Sequence, residues 1–372
     1  MKHECDIVLL SYESPDLLKK CVESVLENTL VPSRLIIVDN NSTSPEVREY
    51  LDNVSGKWDV EIEKVFSPEN AGFAGGINKG LRLSTAPYVC ILNNDCEVYS
   101  GWLREMINVA SIDSSIGLVN PQSNTFGCND PLLVKDKSGK FVELGHAIGF
   151  ACLIKREVLE TIGLFDEAYE GVCYEDTDFA CRAMKKGFIS VMACGAYVYH
   201  REQASRSRLP GKKEIYKKNK YLFESRWGRL LRMLFVEQDS EDERILKDYK
   251  NLKNVARKRI IVDMWVEKKD RGQIIKSLEK KGITEHADVG IKSFPKSIRK
   301  REIITKVLTK KKKYDAVITR DPLLYGILRV VSALRGTQTF FLKEDKYLVS
   351  GRGEVIDIRD ISVITERSRK KK

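Results

Sequence analysis

The first part of the chain alternates short apolar runs with amphipathic ones. "DIVLLSY" (6–12), "RLIIVDN" (34–40), "VEIEKVFS" (60–67) and "YVCILN" (88–93) have the length and composition of buried strands. Between the first two lies "SPDLLKKCVESVLENT" (14–29), where Leu17, Leu18, Cys21, Val25 and Leu26 recur at helical spacing. Ser14 is an N-cap candidate and Pro15 suits the first helical position. A further helix is predicted over 78–84. Strands spaced by helices imply βαβ units in a mostly parallel sheet, with ligands bound beyond the carboxyl ends of the strands. "VDNNS", "PENAGFAGGINKG" and "LNNDCE" each follow a strand candidate, so they should meet at one rim.

From Gly145 to His200 the pattern is mixed. "HAIGFACLIKREVLETIGLFDEAY" reads as strand, short helix and turn. "YEDTDFACRAMKKGF" reads as a helix with Phe179, Ala183 and Met184 on one face and Gly187 at its end. "ISVMACGAYVYH" (189–200) is a strand. A second alternation follows, of strands 259–267, 314–320 and 337–343 with helices 272–282 and 322–336. The predicted organisation is an α/β domain over 1–205, a basic helical connector over 206–258, a small α/β domain of unassigned role over 259–365, and a disordered basic tail over 366–372.

Composition narrows the partners. With 42% hydrophobic and 31% charged residues the chain is ordinary globular protein, and its net charge of +11 favours anionic partners without choosing among nucleotide, nucleic acid and acidic membrane. No nucleic-acid module is recognisable, so none of that class is expected as a partner. Nine cysteines fall between Cys5 and Cys194, odd in number and without C-x-x-C spacing, which speaks against a disulfide framework or a zinc site and for a reducing compartment. No signal peptide and no apolar run of about 18 residues is seen, so a cytoplasmic protein is expected. The run 212–233 mixes lysine and arginine with Tyr, Phe, Trp and Leu. It reads equally as a face for an anionic membrane surface and as a basic helix packing one apolar side on the core.

Several polar clusters could carry chemistry. Asp39 ends a strand ahead of Asn40, Asn41 and Ser42; it reads either as an Asx-turn or as a carboxylate for a base or ribose. Gly72, Gly75, Gly76 and Gly80 suggest a loop that lets backbone approach a ligand, with free N–H groups of the next helix facing an anion. Asp95, among Asn93, Asn94 and Glu97, could hold Mg²⁺ or Mn²⁺ beside a phosphate, or could be turn chemistry. "YEDTDF" places Glu175, Asp176 and Asp178 at a helix start. Capping explains Asp178, while adjacent Glu175 and Asp176 repel, which raises one pKa and suits a general base. His200 ends a strand beside Arg201, Arg206 and Arg208, where it could meet a metal or diphosphate.

In their order, "DIVLLSYESPDLLKKCVESVLENT", "RLIIVDNNS", "NAGFAGGINKG", "YVCILNNDCEV", "GFACLIKREVLETIGLFDEAY", "YEDTDFACRAMKKG" and "VYHREQAS" resemble family 2 glycosyltransferases, in the branch that includes bacterial rhamnosyltransferases, over roughly residues 4–205. The resemblance implies a GT-A fold: a Rossmann-like, mostly parallel domain that binds a sugar nucleotide and a divalent cation, Mn²⁺ or Mg²⁺. It implies that Ser11, Tyr12, Asp39, Asn70 and Gly72 surround the nucleoside of a UDP- or dTDP-sugar. Asn93-Asn94-Asp95 stands at the family's D-x-D position, with Asn93 and Asn94 on the donor side and Asp95 as metal ligand. Asp176, with Glu175, matches the catalytic base, and His200 matches a histidine near metal and diphosphate. The activity implied is inverting transfer of a sugar to a hydroxyl of a glycan or lipid-linked acceptor. The alternative is a non-catalytic sugar-nucleotide or polyanion-binding module on the same fold.

Overall fold

The structure is a computed structural model that describes residues 3–127, 130–171, 173–201, 211–237, 241–267, 270–294, 300–309, 313–334, 336–343, 347–351 and 353–358. Arg206, Arg208 and the tail 366–372 lie outside the described residues. The chain divides into two compact units, Met1–Trp227 and Gly228–Lys372.

The first unit runs β1 (Cys5–Ser11), α1 (Pro15–Asn28), β2 (Ser33–Asp39), α2 (Pro45–Asn53), β3 (Val60–Phe66), α3 (Gly72–Leu83), β4 (Tyr88–Asn93), β5 (Cys96–Val98), α4 (Trp102–Ile112), β6 (Ile116–Gln122), a 3-10 segment (Pro131–Lys137), β7 (Phe141–Leu144), β8 (Ala151–Lys155), α5 (Arg156–Ile162), α6 (Glu175–Lys185), β9 (Ile189–His200) and α7 (Lys212–Trp227). The sheet order is β3-β2-β1-β4-β8-β6-β9-β5, with β7 also on β9. β3, β2, β1 and β4 are mutually parallel, as are β6 and β9; β8 runs against both its neighbours. Both sheet faces are covered. Ile7, Leu9, Leu35 and Ile37 pack under α1 and α4 with Leu18, Trp102 and Met106, while Val8, Ile36 and Val38 face Ile77 and Leu81 of α3 and Phe179 of α6. That is why these strands read as continuous apolar runs rather than alternating ones.

The glycine-rich segment is not the loop expected from its composition. Helix α3 begins at Gly72, and Gly75, Gly76 and Gly80 lie inside it. A Cβ on Gly76 would stand 2.4 Å from Leu10 Cδ1, and one on Gly80 would stand 2.4 Å from Val8 Cγ1. The glycines therefore let the helix lie close on β1. Close packing outweighs the roughly 1 kcal/mol that each glycine costs a helix interior.

The second unit starts earlier than the pattern suggested. The expected connector 206–258 divides between the units: α7 packs in the first, while β10 (Leu231–Glu237) and α8 (Asp242–Ala256) belong to the second. There follow β11 (Ile260–Glu267), α9 (Arg271–Lys280), β12 (Val289–Phe294), α10 (Lys300–Thr309), β13 (Ala316–Thr319), α11 (Pro322–Ala333), β14 (Gln338–Lys343), β15 (Tyr347–Ser350) and β16 (Val355–Asp357). The order is β12-β11-β10-β13-β14-β15-β16, parallel as far as β14. β10 lies in the middle of the sheet, so its "LRMLFVE" is buried on both faces. The flanking lysines and arginines hid that strand from a reading by charge.

Candidate active site

In-register pairing brings the strand ends to one rim: Ser11 lies opposite Asp39, and Leu10 opposite Asn93. Asp39 is 8% exposed, and its Oδ1 accepts from the Ser42 hydroxyl at 2.5 Å and the Ser42 amide at 3.3 Å. The Asx-turn reading of Asp39 thus holds for one oxygen. Glu13 accepts from the Thr43 amide at 2.8 Å and the Ser44 amide at 3.2 Å, tying the β1 and β2 exits together. Ser11 is fully buried and Tyr12 is 46% exposed, so of this pair the tyrosine ring is what the rim offers to solvent.

Asn40 and Asn70 fix the entry to α3. Asn40 Nδ2 donates to Asn70 Oδ1 at 2.9 Å and to the Gly72 carbonyl at 3.1 Å, and Asn40 Oδ1 accepts from the Ala71 amide at 3.0 Å. Asn70 Oδ1 also accepts from the Gly72 amide at 2.9 Å, so this oxygen is committed inside the protein. Gly72 has φ +68°, the left-handed region where a side chain would strain the turn.

Asp95 and His200 meet because β5 pairs antiparallel with the end of β9, placing Cys96 opposite His200. Asp95 Oδ1 lies 3.3 Å from His200 Nε2. The oxygen is buried yet accepts no hydrogen bond. The imidazole is held from several sides. Its ring stacks on Phe150 with centroids 4.9 Å apart, and Asn124 bonds the His200 amide at 2.8 Å and carbonyl at 3.0 Å. The Arg201 amide donates to the Asp95 carbonyl at 3.0 Å, and its guanidinium to Glu97 at 2.9 Å. Glu97 is therefore a strand residue pairing with Arg201. Asn93 is half-buried and Asn94 is 6% exposed, both beside this turn.

Asp95, Cys96 and His200 form a cluster of metal-ligating side chains. Burial, with the Cys21 and Asp95 charges adding to it, pushes the Cys96 thiol well above its ordinary pKa, and the thiol faces the Phe150 carbonyl. The donors on offer are then one carboxylate oxygen and one imidazole nitrogen. A buried carboxylate oxygen without a hydrogen-bond donor fits a hard divalent cation that keeps positions for water and phosphate.

Asp176 sits in the first turn of α6, after Cys173 and Tyr174 at φ 95° and 75°. Its Oδ2 accepts from the Gly149 amide at 2.9 Å, and its Oδ1 from the Thr177 amide at 2.6 Å. Glu175 beside it is 6% exposed. Asp178 is not a cap: it accepts from Tyr169 at 3.2 Å, Trp227 Nε1 at 2.8 Å and Arg182 Nε at 2.9 Å, joining α6 to α7. Asp166 is a turn residue that accepts from the Ala168 amide and pairs with Arg226. Gly149 and Phe150 link the two halves of the site: one bonds Asp176, and the other stacks on His200 and accepts from the Asn93 amide at 2.9 Å. Sequence reading missed Phe150, Asn40 and Asn124, because their partners lie through space. The only hint was a polar residue inside an apolar run, as at Asn120 and Asn124 in "LVNPQSN".

Residues 6–163 match the family described as Glycosyl transferase family 2. Among curated proteins, the chain is 26% identical over 234 residues to the O-antigen biosynthesis protein RfbC of Myxococcus xanthus, covering 54% of this chain and 17% of that protein. It is 25% identical over 202 residues to the amylovoran biosynthesis glycosyltransferase AmsB of Erwinia amylovora, covering 50% and 65%. It thus spans less than two thirds of these relatives. Among solved structures, S. aureus TarS in complex with UDP-GlcNAc aligns at 14% identity and TM-score 0.47, over 61% of this chain and 66% of that one. The Pyrobaculum calidifontis mannosyltransferase PcManGT in complex with GDP-Man and Mn2+ aligns at 18% and 0.44, over 56% and 60%. The match to glycosyl transferase family 2 covers residues 6–163, which lie within the first unit and make up less than half of the chain.

Proposed function

We propose that the chain is an inverting, cation-dependent glycosyltransferase that takes a UDP- or dTDP-linked sugar and transfers it to a hydroxyl of a glycan or lipid-linked acceptor. The observation that carries this reading is the buried, undonated Asp95 Oδ1 beside His200 Nε2, at the end of the sheet where Asp39 and Asn93 also emerge. The relatives named for O-antigen and amylovoran biosynthesis support a polysaccharide or its lipid-linked precursor as acceptor.

Asp39, with Ser42 fixing one oxygen, presents its other oxygen to the base or ribose, and the exposed Tyr12 ring lies beside it. Asp95 and His200 would hold the Mn²⁺ or Mg²⁺, which supplies Lewis-acid stabilisation of charge on the leaving diphosphate. Asp176 takes the proton of the acceptor hydroxyl as its oxygen bonds to the anomeric carbon. The bond from that carbon to the diphosphate breaks on the opposite face, and the configuration inverts. The Gly149 amide orients Asp176 Oδ2 for this step.

The test is transfer from a panel of sugar nucleotides. Asp176→Asn is expected to bind donor with unchanged affinity and to lose transfer by 10²-fold or more, within the usual span of general base catalysis. Turnover near that of the parent chain would remove Asp176 from the role.

A further inference from the structure

Numbered from its own first strand, the second unit's sheet runs 3-2-1-4-5: β10 leads through β11 to β12 on one side, while β13 leads to β14 on the other. Such an order reverses between β10 and β13. Chains leaving the carboxyl ends of these two strands turn to opposite sides and open a crevice, the place where ligands bind in open α/β sheets. A cavity of about 570 Å³ lies there, lined by Val236 and Glu237 from the end of β10, Arg320 and Asp321 after β13, Arg244 of α8 and Lys300 of α10. The volume is in the range of small-molecule sites.

Its chemistry is bipartite. The floor is a buried ion cluster: Arg320 pairs with Glu237 and Asp248, whose side chains are 2% and 0% exposed. Arg320 is thus neutralised where it stands, and the carboxylates around it suit hydroxyl donors. The outer part holds Lys300, paired with Asp321 at the N-cap of α11, and Arg244. Lys300 is 36% exposed, so its ammonium can exchange a carboxylate for a ligand's anion. The unit also attracts anions as a whole. Of the chain's 64 Lys+Arg and 53 Asp+Glu, 37 and 21 follow Trp227, so the second unit carries +16 and the first −5. We infer that this crevice is a second ligand site, separate from the glycosyltransferase rim, and that it takes a phosphorylated, hydroxyl-bearing small molecule: a nucleotide or a sugar phosphate. The phosphate sits against Lys300 and Arg244, and the hydroxyls face Glu237.

The test uses the full chain carrying Asp39→Ala and Asp95→Ala, in EDTA, so that the first unit's proposed site is silent. ADP, UDP, ribose phosphate and inorganic phosphate are titrated by calorimetry at fixed ionic strength. One site per chain is expected for a nucleotide or for ribose phosphate, weakened at least tenfold by Arg244→Ala with Lys300→Ala and largely restored by Lys300→Arg. Uptake of ADP and UDP alone makes it a nucleotide site; uptake of ribose phosphate as well makes it a sugar-phosphate site. No uptake, uptake untouched by the double variant, or inorganic phosphate binding as well as the organic probes would each overturn the proposal. Arg320 is left intact because its loss would strand two buried carboxylates; melting curves confirm that each variant is folded.

Discussion

At the scale of single residues, the site is a set of carboxylates in contrasting circumstances. Asp178 and Asp166 are bonded to arginines and serve structure, whereas Asp95 Oδ1 is buried with no hydrogen bond, the His200 imidazole lying 3.3 Å away. A buried carboxylate kept so is costly unless a cation or proton joins it. Millimolar Mn²⁺ is therefore expected to raise the melting temperature of the parent chain, and Asp95→Ala to abolish that rise. His200→Ala should weaken it by about tenfold in apparent Kd, near 1.4 kcal/mol. A metal-induced shift that survives Asp95→Ala would reassign the cation. Asp6 is the opposite case. Burial alone would raise its pKa, but the Arg34 fork, at 3.0 and 3.1 Å, and the Ala86 and Thr85 amides outweigh that and hold the carboxyl below its ordinary value. Its stabilisation is present above the unfolded carboxyl pKa, about 3.9, and is lost as pH falls through the lower folded value. Arg34→Ala leaves Asp6 buried and unpaired, so urea unfolding at neutral pH should show a loss of about 3 kcal/mol; a loss below about 1 kcal/mol would refute the account. Charged residues at strand ends were legible in the sequence because their identity is the signal. Asn40 and Phe150 were not, since each acts only through a partner about 30 or 50 positions away.

At the scale of elements, apolar strands and long amphipathic helices were legible, whereas the short capped helix α2 and glycine-bearing or charge-flanked elements were not. β1, β2, β3 and β4 fall within a residue or two of their expected bounds. The segments α2, β5, α4, β6 and β7 were not foreseen. In α4, Trp102, Leu103, Met106, Ile107 and Val109 do recur at helical spacing, but Gly101 at φ 77° replaces a recognisable side-chain cap. Helix α3 teaches the sharper lesson: its glycines answer to Val8, Leu10 and Val38 across the interface, not to a ligand. Gly80→Ala would place a methyl 2.4 Å from Val8 Cγ1 and 3.2 Å from Val38 Cγ2. Overpacking of this kind costs about 1–3 kcal/mol, against a helix gain of at most about 1 kcal/mol. A lower melting temperature is expected, with weaker donor binding because α3 carries the Asn70–Gly72 turn that Asn40 holds. A variant that melts higher than the parent would show that the helix has room to spare. Helix α7 makes a related point. Its composition read equally as a membrane face and as a basic helix packing one apolar side on the core; Asn219 and Phe223 are buried, Asn219 bonding the Glu170 and Cys173 carbonyls at 2.9 and 3.1 Å. Its inner side thus braces the turn that leads into Glu175 and Asp176.

At the scale of the whole molecule, charge separates what sequence composition had averaged. A net +11 hides a first unit at −5 and a second at +16. No helix among the described residues is long and apolar enough to cross a membrane. A lipid-linked acceptor met at an anionic bilayer surface would suit the charge of the second unit: each Lys or Arg near such a bilayer contributes about 1 kcal/mol. The chain is expected to bind vesicles containing phosphatidylserine at low salt. Release should follow as ionic strength rises from about 0.01 to 0.15 M, where the Debye length falls from about 30 Å to about 8 Å. Two charge-reversed variants of equal size then locate the contact. Lys250, Lys276 and Lys280 are exposed on the second unit, and Lys213, Lys217 and Lys220 are exposed on α7. Because α7 belongs to the acidic unit and packs its inner side on the core, Lys→Glu at the first three positions should lower vesicle binding far more than at the second three. Equal losses, or a larger loss from α7, would place the contact on the amphipathic run 212–233. Binding that ignores salt would rule out the electrostatic account altogether.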